Sequence, residues 1–459
     1  MMRIFADFFQ YLCEPTPHSL VAIRFVFVAF ALLALLSCSG TRRFGKALQK
    51  DVRNSPVFSR SFTGFALFDP ATGKMVADVN GDHYFTPASN TKIWTLYTCL
   101  TVLGDSVPGM KILDAGDKLI FRGTADPTFL HPFFRYWQAC RDTLLAHPFD
   151  SICYWPRQFP EKRFGPGWAW DDYNEDYQPE RSEMPVYGNC LRLSTNGRDS
   201  LQVEPVLFKK NIFLKMAGRQ AGVERVEYEN LWGVEGLQKV EGMFLPFRTG
   251  ASVMERLLSD TLHRNVADIS YTEHPYHLLY PAKTVFSAPI DTVLRRMMYQ
   301  SDNFIAEQML LVCAGQKFDA FRQDTMIKWM LDSVLNDLPQ RPRWVDGSGL
   351  SRYNLTSPRD LVMLLQKLWK EQPRERLLSL FPAGGLNGTL AGWYNGKDGK
   401  PFVFAKSGSM SGVQCLSGYL LTKRDKVLIF SFMHNNFVGS GKPWKEEMTR
   451  ILENIRNRY

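Results

Sequence analysis

Pro87-Ala88-Ser89-Asn90-Thr91-Lys92-Ile93-Trp94-Thr95-Leu96 opens an apolar helix and sets a serine hydroxyl and a lysine amine three residues apart. Positions i and i+3 share one helix face, so the amine can take the serine proton without any histidine. Ser-x-x-Lys alone is common enough to arise by chance on the order of once in a chain of this length. Two downstream clusters give it weight: Ser301-Asp302-Asn303 and, further on, Lys406-Ser407-Gly408.

The chain around these clusters has 459 residues, enough for two or three units, and its 45% hydrophobic and 22% charged content is that of a folded protein. Lys and Arg exceed Asp and Glu by 55 − 46 = 9. No basic run with interleaved aromatics accompanies the excess, so it reads as diffuse surface charge and nucleic acid is excluded as a partner. Arg24 precedes the unbroken apolar run Phe25 to Leu36, too short to span a bilayer and the right length for the core of a signal peptide over residues 1–37. Leu35-Leu36-Ser37-Cys38 has the form of a bacterial lipobox. The expectation is an exported, periplasmic protein, with a lipid on Cys38 as its membrane attachment.

Eight cysteines occur, two of them (Cys13 and Cys38) in the leader. The other six show no Cys-x-x-Cys spacing and no histidine cluster, so no metal site and no cofactor is expected, and His274 with His277 reads as a loop pair. In an oxidising compartment Cys140 and Cys153 can close a short disulfide loop, whereas Cys99 and Cys313 sit in apolar helical runs and read as buried thiols.

Gly64 to Phe68 and Lys74 to Ala77 read as strands around the turn Asp69-Pro70-Ala71-Thr72-Gly73. From Asp114 to Tyr280 the texture becomes short apolar runs broken by Gly, Pro and Asn, a β-rich accessory insertion over 114–280. Helical periodicity returns at 290–298 and 304–311, with Ser301-Asp302-Asn303 at the break between them. Ser357-Pro358-Arg359-Asp360 carries a helix-start signature. Strands follow around 402–404, 416–420 and 427–432, then an amphipathic helix with Trp444, Met448, Ile451, Leu452 and Ile455 on one face. Residues 38–113 and 281–459 therefore form one domain that the insertion interrupts.

The ordered set Ser-x-x-Lys, Ser-x-Asn, Lys-Ser-Gly resembles the active-site signature of serine penicillin-recognising enzymes. With Gly123-Thr124-Ala125-Asp126-Pro127, Gly165-Pro166-Gly167-Trp168, Trp170-Asp171-Asp172 and Asp346-Gly347-Ser348-Gly349-Leu350-Ser351-Arg352, nearly the whole mature chain resembles a low-molecular-mass class C penicillin-binding protein. These are D-alanyl-D-alanine carboxypeptidases and endopeptidases. The resemblance implies an α/β (α+β) fold of the β-lactamase/transpeptidase type, an antiparallel sheet flanked by helices with an inserted, mainly β accessory region. It implies peptidoglycan stem peptides as substrate and β-lactams as inhibitors that acylate Ser89.

Each residue then has a chemical task. Ser89 attacks the penultimate D-alanine carbonyl, and Lys92 is its base, its pKa depressed by burial and by the ammonium of Lys406. Ser301 relays a proton from Lys92 to the leaving amine, and Asn303 holds the substrate amide and orients Lys92. Lys406 and Ser407 bind the terminal carboxylate. Gly408 lets the strand approach the substrate backbone, and the N–H groups of Ser89 and Ser409 form the oxyanion hole. Threonine is commoner where Ser407 stands. Arg352 matches the family's reader of a stem carboxylate, but where the family offers an acid shortly before Gly-Pro-Gly-Trp this chain has Tyr154-Trp155-Pro156-Arg157. A β-lactamase shares the acylation chemistry but not so large an insertion, and a non-catalytic cell-wall-binding protein has no need of the intact set. No Gly-x-Ser-x-Gly elbow of an α/β-hydrolase occurs.

Overall fold

The computed structural model describes residues 40–459 apart from 149–150, 196–200, 215–221, 236–239, 241, 271–280 and 397. The expected signal peptide, Cys38 and the pair His274 and His277 lie outside the described residues.

The two ends of the chain share one antiparallel five-stranded sheet. Its order is Val403–Met410, Val413–Leu421, Val427–Asn435, Phe62–Asp69 and Lys74–Val79. The turn between the last two is closed by Asp69, whose Oδ1 accepts from Ala71 N at 2.9 Å, and by Gly73 at φ +67°. The strands Val413–Leu421 and Val427–Asn435 are buried on both faces, so both faces must be covered. The helices 40–53 and Lys442–Arg458 cover one side, and Trp444, Met448, Ile451, Leu452 and Ile455 all pack there against Phe65, Leu416 and Phe432. The helices Lys92–Val102, Asn303–Phe318 and Pro358–Glu371 cover the other. Ser357 and Asp360 form the expected capping box, the Ser357 hydroxyl accepting from Asp360 N at 3.1 Å, a contact that stabilises the helix by about 1 kcal/mol.

The accessory region is built on a second five-stranded sheet, in the order Asn265–Asp268, Ser151–Tyr154, Leu119–Gly123, Ser106–Asp114 and Lys283–Pro289. Two of those strands, Ser106–Asp114 and Lys283–Pro289, lie on the flanks of the 114–280 span read from composition, so by hydrogen bonding we assign 106–289 to this unit. Two three-stranded sheets complete it. The core helix Asn303–Phe318 anchors it: Gln308 Nε2 donates to Ala125 O at 3.0 Å and Ser182 O at 2.8 Å, and its Oε1 accepts from Ser182 N. The Gly123 to Pro127 motif thus works as a joint between the two units.

Cys140 and Cys153 are both free and buried, against the disulfide the spacing allowed. Alternation along Ser151–Tyr154 explains it: Ile152 and Tyr154 face the cluster that holds Cys140, while Cys153 faces the opposite side with Leu113 and Ile120. Cys99 and Cys313 are buried thiols, their sulfurs 3.8 Å apart. No helix among the described residues is long and apolar enough to cross a membrane.

Candidate active site

Ser89 lies in a single 3-10 turn, Ala88–Thr91, that runs directly into the helix Lys92–Val102. Lys92 is fully buried, and its Nζ donates to Ser89 Oγ at 3.0 Å, Asn303 Oδ1 at 2.6 Å and Ser348 O at 2.7 Å. Those three acceptors match the three protons of an ammonium. Burial nevertheless lowers the Lys92 pKa to about 8, with Asp346 first and then Asp302 and Glu307 pulling it back up. An amine on that edge takes a proton from Ser89 near neutral pH.

Lys406 is also fully buried, yet no carboxylate partners it among the described residues. Its Nζ donates to Ser301 Oγ at 2.9 Å and Ser407 O at 2.7 Å. Burial drives its pKa well below the ordinary lysine range, and the charge on Lys92 drives it further. Burial is the first cause of the depression of both lysines; Asp346, Asp302 and Glu307 act on Lys92, and the Lys92 charge acts on Lys406. Ser301, at φ +58°, turns the chain between the helices Ile290–Tyr299 and Asn303–Phe318. Its hydroxyl meets Lys406, and no hydrogen bond joins it to Lys92 among the described residues. Asn303 Oδ1 receives Lys92, and its Nδ2 donates to Tyr177 O at 3.1 Å.

Strand Val403–Met410 is the outer strand of its sheet. Ala405 N donates to Pro382 O and Val403 O accepts from Gly384 N, so Val403 and Ala405 point their backbone groups outward. By the two-residue period, Ser407 and Ser409 point theirs outward too, and Ser409 lines the same cavity as Ser89. Gly408 has a steric reason within the protein itself. A side chain there would meet Pro87 O at 2.5 Å, Asn90 N at 3.1 Å and Ser89 N at 3.2 Å, so glycine lets the strand lie against the Ser89 turn.

The cavity holding Ser89 has a volume of about 510 Å³ and is lined by Asp172, Tyr177, Arg352, Met410 and others. Arg352 is exposed and donates to Ser411 O at 2.9 Å. Asp172, which lies after Gly-Pro-Gly-Trp, is the acid that lines this cavity. The remaining motifs are braces. Asp346 accepts from Gly349 N, Ser351 N and Asn354 Nδ2 at 2.7–2.8 Å, and from Trp168 Nε1 at 3.0 Å. Glu307 Oε1 accepts from Ser348 N at 2.7 Å, which fixes the Ser348 carbonyl on Lys92. Asp346, Glu307 and Asp172 had no assigned role in the sequence; the one signal for Glu307 was an acid one turn after Asn303 in an otherwise apolar run.

The description of the D-Ala-D-Ala carboxypeptidase 3 (S13) family matches residues 45–455. The D-alanyl-D-alanine carboxypeptidase DacB of Haemophilus influenzae is 22% identical over 437 residues, covering 87% of this chain and 90% of that protein. The carboxypeptidase DacB of Mycolicibacterium smegmatis is 29% identical over 180 residues, 37% of this chain and 38% of that one. Among solved structures, penicillin binding protein 4 (dacB) from Haemophilus influenzae superposes with a TM-score of 0.68 at 20% identity, over 89% of this chain and 98% of that one.

Proposed function

The chain belongs to the D-Ala-D-Ala carboxypeptidase 3 (S13) family, and from that premise we propose how its own residues carry the reaction. It is a serine-type D-Ala-D-Ala carboxypeptidase and endopeptidase of peptidoglycan stem peptides, acylated by β-lactams. One observation carries the assignment of roles: a buried lysine held at about 8 with its Nζ 3.0 Å from Ser89 Oγ.

Lys92 takes the Ser89 proton as Oγ attacks the carbonyl of the penultimate D-alanine. The oxyanion is received by the N–H groups of Ser89 and Ser409, one at the start of a helix and one on the open strand edge. The C–N bond breaks, and the leaving nitrogen takes, through the Ser301 hydroxyl, the proton that Lys92 received, which returns Lys92 to the free amine; Lys406 holds the Ser301 hydroxyl in place at 2.9 Å and keeps its own proton. The departing carboxylate is held by Lys406 and Ser407, and its arrival gives the buried Lys406 the anion it lacks. Water, activated by Lys92, then frees Ser89. In the 510 Å³ cavity, Asp172 and Arg352 face a stem residue with an amine and a carboxylate, respectively.

Purified muropeptides with mass spectrometry of the products test this. The wild type releases one alanine from pentapeptides and splits dimers, and Ser89→Ala does neither and takes no penicillin label. Product formation by Ser89→Ala would sink the assignment. The substrate lies outside the cytoplasm, consistent with export; a lipid on Cys38 would hold the protein at a membrane, and unchanged membrane recovery of Cys38→Ser would refute that anchor.

A further inference from the structure

The open edge of strand Val403–Met410 changes hands at Lys406. Before it, the segment 382–384 occupies the edge, with Gly384 N donating to Val403 O at 2.8 Å and Ala405 N to Pro382 O at 3.0 Å. After it, the edge at Ser407 and Ser409 is free for a ligand. The chain leaving this edge turns at Gly388–Leu390 and brings Thr389 to the point of exchange. The Ser407 hydroxyl donates to Thr389 Oγ1 at 2.8 Å, which leaves the Thr389 hydroxyl proton as the free donor of the pair.

That turn is pinned from three sides. Asn387 Oδ1 accepts from Ala383 N at 2.9 Å, and Leu390 is buried. Gly388 has φ +56°, and a side chain on it would meet Tyr299 O at 2.7 Å, two residues before Ser301. Thr389 itself is exposed. A pinned turn ending in an exposed hydroxyl, between the Ser301 loop and Ser407, is costly to build for packing alone.

We propose that Thr389 is a substrate-binding residue, the third arm of the clamp for the carboxylate beside the scissile nitrogen. Lys406 supplies charge, Ser407 and Thr389 supply a relayed hydroxyl pair, and each carboxylate oxygen has its own donor. The ligand class is an amino-acid residue whose α-carboxylate is free and adjoins the amide being cut. A terminal D-alanine qualifies, and so does the carboxylate-bearing centre of a cross-link; an amidated residue does not. This rests on the carboxypeptidase reading and adds a selectivity to it.

The test compares kcat/KM for a peptide ending in D-alanine with one ending in D-alaninamide. Thr389→Val keeps the shape and removes the hydroxyl, and Thr389→Ser restores it. Loss of one charge-assisted hydrogen bond lowers kcat/KM for the carboxylate peptide by about tenfold or more, mainly through KM. The amide peptide, whose carbonyl oxygen accepts only an uncharged hydrogen bond, loses a few-fold at most, so selectivity for the carboxylate falls, and Thr389→Ser recovers it. Equal losses on both peptides, or none on either, overturn the proposal. A wild type that releases no D-alanine overturns the underlying reading instead, and the two failures are distinguishable.

Discussion

Replacing Asp302 by asparagine removes one of the three carboxylate charges that sustain the Lys92 ammonium while keeping the atom that caps the helix Asn303–Phe318. The Asp302 side chain accepts from Ile305 N at 3.0 Å, and asparagine caps as well as aspartate. With Lys92 at about 8, about one molecule in ten carries the free amine at pH 7. Asp302 adjoins Asn303, whose Oδ1 is 2.6 Å from Lys92 Nζ. Its charge helps to hold the Lys92 pKa up, and at an effective dielectric of about 20 a unit charge roughly 10 Å away amounts to about one pH unit. Loss of an anion disfavours the ammonium, so the pKa falls and the acid limb of the rate profile moves to lower pH. At pH 7 the free-amine fraction rises to roughly one half, and acylation quickens by up to about fivefold. On the alkaline plateau both forms are fully deprotonated, and the weaker base is slower by roughly a factor of three. The two curves cross. Single-turnover acylation by a fluorescent penicillin, followed across the neutral and alkaline range, reads this directly. An acid limb that stays in place or moves to higher pH would refute the electrostatic account of Lys92, and a uniform loss at every pH would show that the substitution acts on geometry.

Gly408→Ala should cost both stability and rate. A methyl there would come within 2.5 Å of Pro87 O, so the strand or the Ser89 turn must shift, the Tm falls by several degrees and acylation falls by about a hundredfold; an unaffected rate and Tm would show that the strand does not need to lie on the Ser89 turn. Asp172→Asn should raise KM by about fivefold to tenfold for stem peptides with a free side-chain amine, and leave the N-acetylated analogue unchanged. An equal effect on both peptides would remove Asp172 from the recognition of the amine.

The legible part of this chain is the part in which function is local or ordered in sequence. Ser89 and Lys92 are one helix turn apart, and Ser301-Asp302-Asn303 announces itself at a break between two helical patterns, so spacing alone aligned them. The burial pattern of Lys442–Arg458 and the capping box at Ser357 followed from periodicity for the same reason. What spacing does not carry is which side of a strand faces which neighbour across the fold. Cys140 and Cys153 are close in sequence but lie on opposite faces of one sheet. Gly408 is shaped by the backbone of Ser89, more than three hundred residues away. Asp172 and Arg352 are far apart in sequence, and only the fold brings both to the lining of one cavity. The pairing of Ser106–Asp114 with Lys283–Pro289 was not legible for a related reason: pairing across so long a separation leaves no mark on composition.

The two buried lysines show how one fold makes a base and a clamp from the same residue type. Burial destabilises both ammonium ions. Around Lys92 the chain supplies Asp346, Asp302 and Glu307, which return it to a pKa suited to a base. Around Lys406, among the described residues, it supplies only hydroxyl and carbonyl oxygens, from Ser301 and Ser407, so Lys406 is left short of an anion. A ligand that brings a carboxylate completes that site, and one that does not leaves a desolvated lysine uncompensated at a cost of several kcal/mol. Peptides ending in D-alanine and β-lactams share that carboxylate and share Ser89 as their target. The missing acid beside Lys406 is therefore a reason for the selectivity: an internal carboxylate there would satisfy the lysine and remove its demand for the substrate's own.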